Sequence, residues 1–185
     1  MEDDKMQFKP KQSEDNIVHI YTDGACRIKN NIKGGSVSPT DPCSFAFYLQ
    51  YGGLEKTYGQ ALRGFTNNRM ELLAVVRALK TIKSDKFPIK VNTDSALIVN
   101  CINQKWYVKW RNNGWTKKGG LKNADLWQQL IEQYERFDFI SFNHVKGHSG
   151  ILGNELVDGE INRLMDILVS KRLSFVDSEG NEVTL

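Results

Sequence analysis

The chain has 185 residues, 40% of them hydrophobic and 25% charged, with a net charge of +3. This length and balance are typical of a single globular domain and exclude a largely disordered chain. No apolar stretch approaches the roughly 20 residues of a membrane helix, and the first residues do not resemble a secretory leader, so we predict no membrane association. The three cysteines are irregularly spaced, which argues against a disulfide framework or zinc site and indicates a reduced, cytoplasmic protein.

The pattern of apolar and turn residues predicts three regions. These are a flexible lead-in over residues 1–15, a folded domain over 16–169 and a polar C-terminal tail over 170–185. Strands are predicted near residues 17–23, 44–51, 54–61, 89–94 and 137–145, and helices from Asn67 or Asn68 and over 95–104, 123–136 and 154–169. Gly52-Gly53 indicates a hairpin. The order predicts an α/β fold, a mixed five-stranded sheet whose first three strands are antiparallel, flanked by helices.

Four acidic residues stand where a fold could bring them together. Asp23 and Asp94 each end a predicted strand, Glu71 lies in the first turn of a predicted helix, and Asp158 lies inside the last helix. Hard divalent ions such as Mg²⁺ prefer carboxylate oxygens, and two ions can support phosphoryl displacement. Taken singly, each residue is more often a turn, cap or solvated residue. Spacing alone leaves a metal site and this structural interpretation about equally favoured.

Several motifs, read together, resemble type 1 ribonuclease H in the family's order, from about residue 17 to residue 169. They are Thr22-Asp-Gly-Ala-Cys26, Thr66-Asn-Asn-Arg-Met-Glu71, Thr93-Asp-Ser95 and Val145-Lys-Gly-His148-Ser-Gly, followed by Asn154 and Asp158. The resemblance implies a ribonuclease H-like fold and endonucleolytic cleavage of the RNA strand of an RNA–DNA hybrid. It also implies 3′-hydroxyl and 5′-phosphate ends and two Mg²⁺ ions per site, with Mn²⁺ as an alternative.

The same resemblance implies a role for each matching residue. The metal-binding carboxylates would be Asp23, Glu71, Asp94 and Asp158. His148 would assist proton transfer or product release, and Asn154 would fix the attacking water or a phosphate. Hybrid contacts would come from the ribose-binding positions Asn67, Asn68 and the Cys26 backbone, from Trp106 on a deoxyribose, and from Thr66 and Asn123 at a DNA phosphate.

The segment from Lys105 to Lys122 carries six basic residues and no acidic one. It resembles the family's basic protrusion, which grips the DNA strand, although Trp110 and Trp115 are more typical of packing residues. Three features depart from the family pattern: the segment 27–33 replaces a glycine-rich turn, residues 36–43 are an insertion, and Gly64 stands where an arginine is common, with Arg63 one step earlier.

We expect a stand-alone, monomeric catalytic domain of the bacterial or phage type. Two rival interpretations stay open. One is a nucleic-acid-binding module that keeps the fold without cleaving, and the other is a related nuclease of the wider superfamily, such as an integrase or resolvase, that acts on DNA.

Overall fold

The computed structural model describes residues 16–28, 37–147 and 150–170, together with two short strands near the C-terminus. Five strands build the main sheet: β1 (Val18–Cys26), β2 (Pro42–Tyr51), β3 (Leu54–Arg63), β4 (Ile89–Thr93) and β5 (Ile140–His144). The five helices are α1 (Asn67–Thr81), α2 (Ala96–Asn103), α3 (Trp106–Asn112), α4 (Ala124–Tyr134) and α5 (Leu152–Ser170). None of the helices in the described residues is long and apolar enough to cross a membrane.

The strand order is β3-β2-β1-β4-β5, with β1 at the centre. Strands β1, β2 and β3 are antiparallel neighbours, whereas β1 and β4, and β4 and β5, run parallel. This confirms the predicted mixed sheet. The predicted hairpin is also present, because Gly52 and Gly53 both have positive φ (52° and 80°), which two-residue hairpin turns require.

Helices cover both faces of the sheet. Alternate residues of β2 divide between them: Phe47 packs against α1 in the main core, and Ala46 and Tyr48 pack against Val157 and Ile161 of α5. The main core also takes apolar residues from α2, α3 and α4, including the buried Trp110. Helix α5 is further tied to the sheet by the hydroxyl of Ser44, which donates to the Ile161 carbonyl at 2.8 Å.

Three predicted boundaries were wrong in detail. Helix α1 is capped by Thr66, whose side-chain oxygen accepts from the Arg69 N–H at 3.3 Å, and not by Asn67 or Asn68. Glu71 therefore lies just beyond the first turn, which contains no acidic residue. Asp23 is inside β1, since the antiparallel pairing with β2 continues to Cys26.

The tail contains more regular structure than its composition indicates. Strands β6 (Ser174–Val176) and β7 (Glu182–Thr184) pair antiparallel as a separate two-stranded sheet. The predicted lead-in over residues 1–15 lies outside the described residues, as do positions 29–36 of the predicted loop and insertion.

Candidate active site

The register of the central strands places Asp23 and Asp94 side by side. The parallel pairing of β1 with β4 ends at Thr22 opposite Thr93, and each aspartate is the next residue along its chain. Paired residues of adjacent strands point to the same side of a sheet. Asp23 therefore follows the face of Tyr21 and Ala25, which pack towards α5. Two carboxylates thus lie together at one end of the sheet centre.

Gly24 brings the start of α1 against the same end of β1. A Cβ atom on Gly24 would lie 2.3 Å from the carbonyl carbon of Met70 and 2.4 Å from the backbone nitrogen of Glu71. Only glycine permits this approach of a helix backbone to a strand. The close contact holds the Glu71 backbone beside β1, and its side chain interacts electrostatically with both Asp23 and Asp94.

Asp158 reaches the site from the opposite face of the sheet. Helix α5 approaches β1 closely at Gly153, where a Cβ atom would lie 2.4 Å from the Tyr21 ring. The buried Asn154 is in the first turn of α5, and Asp158 lies one turn later on the same side of the helix. The structure thus brings the four predicted carboxylates into one electrostatic cluster, with Asp23 interacting with all three others.

The charges of this cluster oppose one another. Burial and then the nearby Asp94 carboxylate raise the pKa of Asp23 from its ordinary 3.8 to about 7. Asp158 and Glu71 raise this pKa further, against the Gly24 N–H, which donates to Asp23 Oδ1 at 2.6 Å and lowers it. Burial also raises the pKa of Glu71. The Ser95 hydroxyl forms no hydrogen bond of full geometry in the described residues, yet lies close enough to Glu71 to lower that pKa.

The donor set fits a hard divalent cation. In the described residues, no three His, Cys, Asp or Glu side chains are arranged as a ready-made metal cage. Mg²⁺ does not need one, because it keeps several waters and is commonly held by one or two carboxylates together with substrate phosphates. A cation would also offset the repulsion that raises the Asp23 pKa. We therefore regard Asp23, Glu71, Asp94 and Asp158 as candidate ligands.

The ribose-contacting candidates lie next to this cluster. The Asn67 side chain accepts from the Cys26 N–H through Oδ1 at 2.8 Å, which joins the end of β1 to the start of α1. Its amide NH₂ group keeps its capacity to donate to a ligand. Asn68 and the capping Thr66 are exposed beside it. His148 lies outside the described residues, although the segment before it passes Asp94: a Cβ atom on Gly147 would be 3.5 Å from Asp94 Oδ2.

Comparison with known proteins decides the family. The family model described as RNase H matches residues 15–165. A ribonuclease H of Caldicellulosiruptor saccharolyticus is 44% identical over 154 residues, which cover 80% of this chain and 94% of that protein. The chain belongs to the ribonuclease H family. Its relatives are nucleases, and the family places this chain among the hydrolases.

Solved structures show the same fold as this ribonuclease H family member. LC9-RNase H1, described as a type 1 RNase H with the type 2 active-site motif, aligns with a TM-score of 0.69 at 22% identity, over 94% of this chain and 80% of that one. A foamy viral protease-reverse transcriptase in complex with an RNA/DNA hybrid aligns with a TM-score of 0.65 at 20% identity, over 86% of this chain and 21% of that one.

The candidate DNA-phosphate position of this ribonuclease H connects α1 with α4. Arg69 donates to Asn123 Oδ1 at 3.2 Å and forms a two-point ion pair with Asp125 at 3.0 and 2.7 Å. Asn123 adopts a left-handed conformation (φ 58°) directly before α4. Arg63, by contrast, donates to the backbone carbonyls of Thr40 and Leu168 at 2.8 and 3.1 Å, so this arginine serves a structural purpose.

The basic segment presents its cations to solvent. Its six basic side chains are exposed: Lys105, Lys109, Arg111, Lys117, Lys118 and Lys122. Trp110 is buried and Trp115 packs partly against the core, as expected for packing residues. Trp106 is also partly buried against the core, and its indole N–H donates to Gln104 Oε1 at 3.0 Å. It keeps an accessible part that a sugar can contact.

Two polar residues beside the carboxylates were missed by the sequence analysis. Asn162 donates to the Asp158 carboxylate at 3.3 Å, and Arg27 donates to Asn162 Oδ1 at 3.0 Å. Asn162 follows Asp158 by one helical turn, a spacing that signals side-chain contact. The contact with Arg27 carries no such signal, since it joins residues 135 positions apart.

Proposed function

We propose that this protein hydrolyses the RNA strand of RNA–DNA hybrids with two divalent cations, Mg²⁺ or Mn²⁺, and leaves 3′-hydroxyl and 5′-phosphate ends. The proposal rests above all on the buried Asp23 carboxylate, whose pKa is raised to about 7 amid Asp94, Asp158 and Glu71. A fold does not stabilise itself by crowding like charges, and such perturbed carboxylates concentrate at functional sites. Membership of the ribonuclease H family supplies the reaction class.

Each carboxylate has a distinct task in this proposal. Asp23 and Asp94, at the centre of the sheet, hold the ions centrally. Glu71 helps to position one ion and the attacking water, and Asp158 completes the coordination of the other. When bound, the cations supply a more acidic water and a stabilised leaving oxygen. Asn154, one turn before Asp158, orients the water or a nearby phosphate, and His148 assists proton transfer or product release.

Substrate selection is assigned to the start of α1 and to the basic segment. Distinguishing RNA from DNA requires contacts to 2′-hydroxyls, which both donate and accept. Asn67, Asn68 and the backbone at Cys26 carry groups of both kinds beside the carboxylates. The exposed lysines bind DNA phosphates independently of sequence, Trp106 contacts a deoxyribose, and Thr66 and Asn123 hold a DNA phosphate. The foamy viral complex with a hybrid supports this substrate class.

One assay separates this proposal from its rivals. End-labelled RNA–DNA hybrid, RNA duplex and DNA duplex are each incubated with Mg²⁺, with Mn²⁺ or with EDTA. We expect cation-dependent cutting of the hybrid's RNA strand only, with products that a 5′-phosphate-dependent exonuclease degrades. Cutting of DNA would favour another nuclease of the superfamily, and hybrid binding without cutting would favour a non-catalytic module.

The variant Asp94→Asn tests the role of the carboxylates. We expect cleavage to fall at least about 1,000-fold while the circular dichroism spectrum is unchanged, because the amide cannot supply the same negative charge to a cation. Full activity of this variant would contradict the proposed mechanism. Monomeric state and cytoplasmic location stay predictions, the first of which sedimentation equilibrium can check.

A further inference from the structure

Asp158 is held by a hydrogen-bonded chain that begins on the opposite side of the sheet edge. The amide nitrogen of Asn162 donates to the backbone carbonyl of Asp158 at 3.0 Å and to its carboxylate oxygen Oδ1 at 3.3 Å. Both residues lie on α5, one turn apart, so a rigid helix sets their separation. The Asn162 side chain therefore restricts the direction in which the carboxylate can point.

Arg27 determines which end of the Asn162 amide faces Asp158. Its Nη2 group donates to Asn162 Oδ1 at 3.0 Å and to the Asn162 backbone carbonyl at 3.3 Å, while its Nη1 group pairs with Asp166. A guanidinium has donors and no acceptor, so the amide must turn its oxygen to Arg27 and its NH₂ group to Asp158. The reverse orientation would set an oxygen against a carboxylate.

The end of β1 fixes the position of Arg27. The Arg27 N–H donates to the Pro42 carbonyl at 2.9 Å, which extends the β1–β2 ladder by one residue. Arg27 follows Cys26, the residue whose backbone N–H is bound by Asn67. The same stretch of β1 thus contacts the start of α1 on one side and α5 on the other.

We propose that Arg27 and Asn162 are positioning residues that hold the Asp158 carboxylate towards the cation site. Asp158 repels Asp23, and this repulsion favours rotation of Asp158 into solvent. A donor fixed on the outer side of Asp158 opposes that rotation. Hydrogen-bonded supports of metal-binding carboxylates typically change metal affinity by about 10- to 100-fold when they are removed. The inference rests on the proposed function, in which Asp158 holds a divalent ion.

The test measures cation dependence, which a merely structural role would not shift. Hybrid cleavage is titrated with Mg²⁺ for the wild type, Asn162→Ala, Arg27→Ala and Arg27→Lys. We expect the half-saturating Mg²⁺ concentration to rise about 10-fold in Asn162→Ala and by a smaller factor in Arg27→Ala. At saturating Mg²⁺, kcat should recover to within about threefold and KM for the hybrid should stay within about twofold of the wild type.

Two further comparisons isolate the chain of contacts. Because Arg27 acts through Asn162, the double variant should need no more Mg²⁺ than Asn162→Ala alone. Arg163→Ala is the matched control: it removes another exposed arginine–carboxylate pair on α5, with Glu160, and should leave the Mg²⁺ dependence unchanged. Arg27→Lys should fall between the wild type and Arg27→Ala, since lysine keeps the charge but lacks the fork.

The outcomes distinguish the two proposals. An unchanged Mg²⁺ requirement in Asn162→Ala, with a wild type that cleaves hybrid, would overturn the positioning role alone. A wild type that does not cleave hybrid would overturn the proposed function. In that case, calorimetric binding of Mn²⁺ to the free protein would still test the positioning role, with about 10-fold weaker binding expected for Asn162→Ala. Loss of thermal stability in EDTA with unchanged Mn²⁺ binding would reduce both residues to structural supports.

Discussion

Removing the charge of Asp23 should make the cation-free protein more stable. The pKa of Asp23 is raised from 3.8 to about 7 in the folded state, first by burial and then by Asp94. A difference of this size corresponds to about 4 kcal/mol at a pH well above 7. We expect Asp23→Asn to raise the free energy of unfolding by about 2–4 kcal/mol at pH 8, because an amide carries no charge to desolvate.

The sign of the pH dependence follows from proton binding. The folded state holds the Asp23 proton more tightly than the unfolded state, so this residue destabilises the fold as the pH rises from about 4 through about 7. Below pH 4 the carboxylic acid is neutral in both states. The stability difference between the variant and the wild type should therefore be under about 1 kcal/mol at pH 4 and should reach its full value at pH 8.

Urea denaturation followed by far-UV circular dichroism, in EDTA at pH 4, 6 and 8, provides the measurement. Asp138→Asn is the matched control, since it removes an exposed carboxylate that lies before β5 and outside the cluster. The control should change stability by less than about 0.5 kcal/mol at every pH. Equal stability of Asp23→Asn and the wild type at pH 8 would refute the idea that burial and crowding strain this carboxylate.

Three further predictions concern neighbouring parts of the site. Gly24→Ala should cost at least about 3 kcal/mol in urea denaturation and most of the cleavage activity, because its Cβ meets the backbone of α1; Gly159→Ala, on the open side of α5, should instead stabilise by up to about 1 kcal/mol. Asn67→Ala should raise KM for the hybrid about fivefold or more, measured at saturating Mg²⁺, since the variant removes both the acceptor for the Cys26 N–H and an amide donor. Lys117→Gln with Lys118→Gln should weaken binding of catalytically inactive protein to any hybrid sequence and lower the slope of log affinity against log salt by about 1 for each phosphate that is no longer neutralised; an unchanged slope would place the substrate elsewhere.

Local patterns were sufficient to predict most elements of the fold. The paired glycines at positions 52 and 53 predicted the β2–β3 hairpin, and the apolar spacing from Met70 to Leu79 predicted α1. These signals are local because turn conformation and helix amphipathicity depend on residues a few positions apart. The cap of α1 was placed one or two residues late, since the Asn67 side chain bonds to Cys26 across the fold while Thr66 caps the helix.

The geometry of the site was beyond the reach of local patterns. Asp23 was predicted at a strand end, but its strand continues to Cys26 because β2 pairs with it there. Nothing near Arg63 in the sequence shows that it binds the carbonyls of Thr40 and Leu168. The contact of Arg27 with Asn162 likewise depends on α5 crossing the end of β1. The family resemblance supplied the carboxylate set, and the tertiary structure supplied the supports.

The Asp23-Gly24 dipeptide explains how one strand gathers ligands from both faces of the sheet. Successive residues of a strand point to opposite faces, so Asp23 faces α5 while Gly24 faces α1. Asp23 thereby lies near Asp158, and the missing side chain of Gly24 allows the Glu71 backbone to approach. A larger residue at position 24 would push α1 outward and relieve the repulsion among the carboxylates. The close packing that the glycine permits is therefore what keeps the like charges together, and the raised pKa of Asp23 is the consequence.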